Sequence, residues 1–419
     1  MQGRRVVITG LGALTPVGNN VPQYWDALSN GVSGSDWITH FDTTHFKTKF
    51  ACEVKNFDAT AYFDRKNVRK LDPFVQYGIV AADEAMADAA FNLENEDLSR
   101  FGVIMGSGIG GIHVFAEEVT SFVEGGKIPR MNPFFITKMI IDIGAGQISI
   151  KYGLRGPNYS AVSACATSSN CIIDAFMLIK FGYADMMLAG GSEAPITEMG
   201  VGGFNAMKAL SENNEEYKSA SRPFDVRRDG FVIGEGAGCL VLEEYEHAVA
   251  RGAKIYAEIA GIGLSADAHH ITAPDPEGLG TTQVMRNALK DAEISAEDVD
   301  YINVHGTSTP LGDVSESNAI KRVFGEHAHK LNISSTKSMT GHLLGAAGAI
   351  EAIAGVLAIK NSLIPPTINF EQADPECDLN YTFNKAQERV VNVAISNTFG
   401  FGGHNTSIIL KKPDFVSGK

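Results

Sequence analysis

Apolar and β-branched residues gather in ten short runs along the chain, and most of them read as strands buried on both faces. The first set is RVVITG, FGVIMG, YSAVSA, DMMLAGG and CLVLEEY; the second is YAEIAGIG, DYINVHG, NISST, NVAISNT and TSIILKK. Between the runs lie stretches with helical periodicity, such as DPFVQYGIVAADEAMADAA and TTQVMRNALKDAE. Alternation of this kind predicts an α/β protein with largely buried sheets. Two sets of five strands imply an internal duplication with its junction near residue 255, giving halves 1–255 and 256–412. Two local comparisons agree. RRVVITGLGALTPVG resembles KIYAEIAGIGLSADA, and SAVSACATSSNCIIDAFMLI resembles NISSTKSMTGHLLGAAGAIEAI. On that comparison Cys165 and His342 occupy equivalent strand-to-helix positions and reach one cleft if the halves pack face to face.

The segment around Cys165, SAVSACATSSNCIIDAF, is expected to run as a strand over 161–163, a tight turn, and a helix from about Thr167 to Ile179. A helix start leaves backbone N–H donors unpaired, and such donors lower a cysteine pKa. Three readings are open on this segment alone: a structural pair with Cys171, half of a metal site, or a nucleophile. Cys171, beside Ile172 and Ile173, reads as a small core hydrophobe.

Composition narrows the field. The chain has 419 residues, 44% of them hydrophobic and 20% charged, as in an ordinary soluble globular protein. A strand is expected by about residue 5, which leaves no room for a signal peptide, and the apolar run from Gly345 is expected to be too short for a membrane span. The five cysteines are odd in number and scattered, without a C-x-x-C pair, and the eleven histidines form no H-E-x-x-H. Neither a disulfide framework nor a metal centre is expected, and a reducing cytoplasm is the default location. A net charge of −14 argues against nucleic acid as a partner. One stretch runs against that charge. Arg65, Lys66, Arg69 and Lys70 recur at helical spacing, with Lys127 and Arg130 as additions. They form either a solvated helix face or a docking patch for an acidic partner. GSGIGG at 106–111 fits a dinucleotide fingerprint formally, but no βαβ unit with a ribose-binding acid follows it. Its glycines are better read as tight turns and close packing.

Three further loops hold polar groups among very small residues at strand ends: NVHGTSTPLGD with His305, SSTKSMTGHLLGAAG with Lys337 and His342, and SNTFGFGGHN with Phe399 and Phe401. Together with Cys165 they supply a thiol, two imidazoles and an ammonium. A thiol can accept an acyl group, and neutral imidazoles can donate hydrogen bonds to a thioester enolate. Cys165 in SACATSSN, His305 in HGTSTPLGD, His342 in TKSMTGHLLGAAG, and FGFGGHN near the end resemble the β-ketoacyl-acyl carrier protein synthases of the thiolase superfamily. RDGFVIGEGAGCLVLEEYEHA, ASRPF and GGSEAPIT resemble them too, so the likeness covers essentially the whole chain. The Cys-His-His set marks the elongating branch; initiating synthases carry Cys-His-Asn.

That resemblance implies a duplicated five-layer αβαβα fold, a homodimer and a cofactor-free condensation, with phosphopantetheine arriving on the acyl carrier protein. It implies Cys165 as nucleophile, His305 and His342 as enolate donors, and the backbone N–H groups of Cys165 and Phe401 as the oxyanion hole. Phe401, with Phe399, would form the gate. Lys337 would pair with Glu351 behind His342. Thr307, Thr309 and Thr272 would bind the pantetheine arm. Ile109, with Phe134 and Phe135, would line the acyl channel. The basic cluster would then dock the acidic carrier protein. His404 stands where threonine is common in the family. The alternatives are a ketosynthase of a polyketide or aryl polyene pathway, a coenzyme A-dependent degradative thiolase (disfavoured without a second active-site cysteine), a generic cysteine hydrolase, and a non-catalytic chain-length partner, which the presence of Cys165 disfavours.

Overall fold

A computed structural model describes residues 3–417. Five strands make up the first half of its main sheet: β1 (Val6–Leu14), β2 (Phe101–Gly106), β3 (Asn158–Tyr159), β4 (Met186–Glu193) and β5 (Gly236–Glu244). The second half has β6 (Ala257–Ala266), β7 (Tyr301–Asn303), β8 (Asn332–Ser334), β9 (Val393–Gly400) and β10 (His404–Lys411). In space the order is β3-β2-β4-β5-β1 followed by β6-β10-β9-β7-β8. Both halves therefore follow one plan, first-fifth-fourth-second-third. The polarities also repeat. Within each half the first, fifth and fourth strands are antiparallel neighbours, and the fourth, second and third are parallel. Antiparallel pairing of Val6–Ile8 with Ala257–Ile259 joins the halves edge to edge.

Strands β1, β4 and β5 are buried at every position, which requires a layer on each face. Helix α1 (Pro73–Ala89) covers the outer face of β1, β5 and β4, and α2 (Ile143–Tyr152) covers β2. On the other side α4 (Leu279–Ala292) covers β6 and β10, with α5 (Pro310–Phe324) against it. Between the two halves lie α3 (Thr167–Lys180) and α6 (Ala347–Asn361), packed on each other and on strands of both halves. The layers are helix, sheet, helix, sheet, helix. Helix α6 is buried from Ala347 through Ile359, and its small and apolar residues all round fit a helix with no solvent face. The stretch Leu344–Asn361 is in fact long and apolar enough to cross a membrane by length and composition, contrary to the expectation, but 89% of it is buried inside the protein.

Two local expectations change. The third strand ends at Tyr159, and 161–163 is not part of the ladder. The Ser163 N–H instead donates to the Thr167 hydroxyl at 2.9 Å, so a side chain of the next helix takes the place of a strand partner. The basic stretch is not one helix face. Its helix covers only Arg65–Val68, and α1 begins afresh at Pro73 with Asp72 as N-cap, because the residue before a proline is held extended.

Candidate active site

Cys165 lies in a single 3₁₀ turn, Ala164–Ala166, that runs directly into α3. The matching turn in the second half, Leu344–Ala346, runs into α6. Each turn begins on a left-handed residue, Ala164 at φ 50° and Leu344 at φ 47°. The counterpart of Cys165 is therefore Gly345; His342, three residues earlier, is not the equivalent position that the local comparison indicated. The two turns nevertheless meet, and His342 and Cys165 border the same cavity, of about 380 Å³.

His305, Phe399, Phe401 and the three threonines Thr272, Thr307 and Thr309 border that cavity as well. The His305 and His342 rings stand edge to face with centroids 5.3 Å apart. Phe399 lies 5.6 Å from His305, and Phe231 packs edge-on against His342 at 5.3 Å. Gly400 lets the Phe399–Phe401 loop settle on the cysteine turn: a Cβ there would fall 2.7 Å from Ser163 O and 3.2 Å from the Cys165 nitrogen. Phe401 in turn donates a backbone hydrogen bond to Cys165.

The electrostatics follow from burial. His342 is buried and His305 half-buried at the cavity wall; burial, reinforced by the Lys337 charge, holds each imidazole well below its ordinary value, so both are neutral. The Leu344 N–H donates to His342 Nδ1 at 3.3 Å, which leaves the ring proton on Nε2. The backbone N–H groups of His305 and Gly306 donate to Glu316 at 3.0 and 2.8 Å, fixing the loop that carries His305. Lys337 pairs with Glu351, their side chains 3% and 1% exposed. Burial pushes Glu351 up and the ammonium draws it back. The Cys165 thiol does not behave as its helix-start position suggested. Burial pushes it up to about 11, outweighing the Phe401 N–H and Lys337, so the resting site stores a protonated thiol.

The remaining residues lie elsewhere. Ile109, Phe134 and Phe135 do not border the cavity. Ile109 is 37% and Phe134 42% exposed, and Phe115, Val123, Ile128 and Ile136 in the same stretch of chain are exposed too. Lys70 sits over the Phe134 ring at 5.5 Å. Arg65, Lys66, Arg69, Lys127 and Arg130 are exposed, and no salt bridge among the described residues involves any of the six cations. His404 is exposed at the start of β10, with its ring against Gly402. Among the described residues no group of three or more His, Cys, Asp or Glu is placed to hold a metal ion. Sequence reasoning missed Glu316, Phe231 and Glu193. RDGFVIGEGAG and GGSEAPIT had marked the last two only as family-like segments. Glu316 had no signal beyond an acid on the buried face of α5.

A reactive-type cysteine, two neutral imidazoles and a buried ion pair at the junction of two duplicated halves define a thiolase-like condensing enzyme. The family models for the beta-ketoacyl synthase N-terminal and C-terminal domains match residues 3–248 and 256–371. The chain is 51% identical over 411 residues to 3-oxoacyl-[acyl-carrier-protein] synthase 2 of Staphylococcus aureus strain N315, covering 98% of this chain and 99% of that one. It is 50% identical over 413 residues to the protein of the same name from Coxiella burnetii, with the same coverage. Among solved structures it superposes with a TM-score of 0.91, at 37% identity and covering 99% and 100% of the two chains, on one described as a type II PKS acyl-carrier protein in complex with its ketosynthase. The chain belongs to the beta-ketoacyl synthase family, and it is a condensing acyltransferase.

Proposed function

We propose that the protein lengthens fatty acyl chains by decarboxylative Claisen condensation, joining malonyl-acyl carrier protein to an acyl group held on Cys165 and releasing 3-oxoacyl-acyl carrier protein. The observation that carries this reading is the enclosure of Cys165 with two neutral imidazoles in one cavity, beside the Phe401 N–H. The thiol attacks an incoming acyl thioester; the new S–acyl bond forms as the carrier's thiolate leaves with the cysteine proton. Malonyl-carrier then enters, and the bond to its carboxylate breaks, releasing carbon dioxide. The electron pair passes to the thioester oxygen, where His305 and His342 donate to the enolate. Neutral donors suit this step because their hydrogen bonds strengthen as charge concentrates on that oxygen. The enolate carbon attacks the Cys165 thioester, and the tetrahedral oxyanion faces the N–H groups of Cys165 and Phe401. Collapse expels the Cys165 thiolate and frees the product, and the thiolate takes up one proton from solvent to restore the resting thiol.

The condensation balances without a cofactor, since the pantetheine arm comes with the substrates; Thr272, Thr307 and Thr309 line its approach. The acidic carrier protein docks on the unpaired cations Arg65, Lys66, Arg69, Lys70, Lys127 and Arg130, despite the chain's net charge of −14. A second copy of the chain pairs on the side of the edge strand β3, where it would close the acyl channel and cover exposed apolar residues such as Ile109, Phe115, Ile128 and Phe134. Five free cysteines, all buried, suit the reducing cytoplasm. A polyketide ketosynthase would run the same chemistry on another chain. The 51% identity to a 3-oxoacyl-[acyl-carrier-protein] synthase 2, against 37% to the ketosynthase of the type II PKS complex, favours the first reading. The test is mass spectrometry of Cys165 after exposure to acyl carriers of graded length and unsaturation. Saturated medium and long chains should load on Cys165 and be consumed by malonyl-carrier; no adduct at Cys165, or an adduct that malonyl-carrier cannot discharge, overturns the proposal.

A further inference from the structure

Glu193 ends β4 and is wholly buried, yet the condensation as written does not use it. Both of its oxygens are fully engaged. Oε1 accepts from the Ser107 hydroxyl at 2.6 Å and the Ile109 N–H at 3.0 Å; Oε2 accepts from the Gly108 N–H at 2.7 Å and the Gly345 N–H at 2.9 Å. Three of these donors sit on the loop after β2, in the first half. The fourth sits in the turn before α6, in the second half. Loop and turn meet almost backbone to backbone: a Cβ on Gly108 would lie 2.8 Å from Glu193 Oε2, 3.3 Å from Ala164 O and 3.4 Å from the Gly345 nitrogen.

Both ends of this arrangement lead to a reacting group. Next to Gly345, the Leu344 N–H fixes the His342 tautomer. At the other end Ile109 is 37% exposed, and its N–H is held by the same carboxylate. We propose that Glu193 is a positioning residue that couples the acyl-side loop Ser107–Gly110 to the turn orienting His342. Because Gly108 packs against Ala164, the residue before the thiol, a shift of this loop on acylation of Cys165 acts on the same carboxylate that holds Gly345, so loading of the thiol is sensed where decarboxylation takes place. The inference rests on the condensation reading above.

Two substitutions separate the two arms. A glutamine at 193 keeps one accepting oxygen and must turn its amide nitrogen toward the other pair of donors. Facing Gly108 and Gly345 it would oppose two N–H groups; facing Ser107 and Ile109 it opposes one, because the serine hydroxyl can accept. Glu193→Gln therefore keeps Gly345 and releases Ile109, whereas Glu193→Met releases both. The two half-reactions are measured separately on the full chain: acyl transfer to Cys165 by mass spectrometry, and carbon dioxide release from malonyl-carrier. Glu193→Gln should slow acyl transfer about tenfold and leave decarboxylation within about twofold of wild type, while Glu193→Met should slow both about tenfold or more. Equal losses of both half-reactions in Glu193→Gln, or a folded Glu193→Met that decarboxylates like wild type, would overturn the proposal. Should Glu193→Met fail to fold, the split in Glu193→Gln decides alone. A wild-type protein that released no carbon dioxide from malonyl-carrier would overturn the condensation reading and this inference with it.

Discussion

Neutralising Glu351 tests the electrostatic design of the site most directly. Its partner Lys337 is 3% exposed and Glu351 itself 1%, so solvent screens neither charge. Glu351→Gln leaves an ammonium buried without an anion, which either stays charged at high cost or releases its proton. Breaking a buried pair from one side costs about 3–5 kcal/mol, and that loss is expected in urea unfolding at pH 7. Replacing both partners, as in Lys337→Met with Glu351→Gln, should recover most of it, since neutral substitutes for a buried pair are often tolerated. The double-mutant cycle should then show coupling of about 2 kcal/mol or more. Activity should not recover. The Lys337 charge is one of the causes holding His305 and His342 low, after burial. Without it both rise toward the usual value of ~6.5, and the acid limb of malonyl decarboxylation moves toward neutral pH. Stability carries the same sign. A histidine whose folded value is depressed contributes stability above ~6.5 that is lost as pH falls below it, so removing the ammonium should lessen that loss. A Glu351→Gln cost below about 1 kcal/mol, typical of a surface pair, or an acid limb that stays in place, would refute this account.

Other consequences are testable in the same preparations. Because burial pushes the Cys165 thiol up to about 11, its alkylation by iodoacetamide should rise about tenfold per pH unit between ~7 and ~9; a plateau below pH ~8 would show a thiolate already formed. Cys165→Ala should abolish condensation, whereas Cys165→Gln, with an uncharged amide in place of the acylated thiol, should still release carbon dioxide from malonyl-carrier. Retained condensation in the alanine variant would remove Cys165 from the mechanism. Arg65→Glu with Arg69→Glu should raise KM for carrier-protein substrates about tenfold at low salt and leave small thioesters little changed; an equal rise for both would place docking elsewhere.

The parts of the fold legible in the sequence are those set by composition over several residues. Strands such as MMLAGGSE and GAGCLVLEE carry the unbroken apolar and small runs that two-sided burial demands. Helix α6 announces itself because every residue in it but Glu351, Lys360 and Asn361 is small or apolar. Contacts that depend on one particular side chain were not legible. The Ser163 N–H goes to a hydroxyl four residues on, and no hydrophobic pattern separates that from a strand. The thiol's behaviour was misjudged for a similar reason: position at a helix start is written locally, but burial arises from Phe401, Leu344 and other residues brought in from afar. His305 and His342 were legible through their small neighbours, whereas Glu316 and Glu193 act through backbone N–H groups that carry no side-chain signature.

The duplicated turns explain why one half could become the nucleophile and the other its support. Each enters its central helix through a left-handed residue that is not glycine, Ala164 or Leu344, a conformation costing roughly 1–2 kcal/mol. Strain of that kind persists only where surrounding contacts over-determine it. Here the contacts lie between the halves. Ser168 in the first turn of α3 accepts the Ala349 N–H at 2.9 Å, and Glu193 accepts the Gly345 N–H. In the first half the strained turn presents a thiol. In the second the equivalent residue is glycine, whose missing side chain leaves room for the Gly108 backbone, and the histidine stands three residues earlier. Had a histidine replaced Gly345 itself, its Cβ would collide with the Gly108 nitrogen. The imidazole therefore had to come from upstream, where the Leu344 N–H can reach its Nδ1. The asymmetry of the catalytic pair is thus a packing consequence of two identical turns placed face to face.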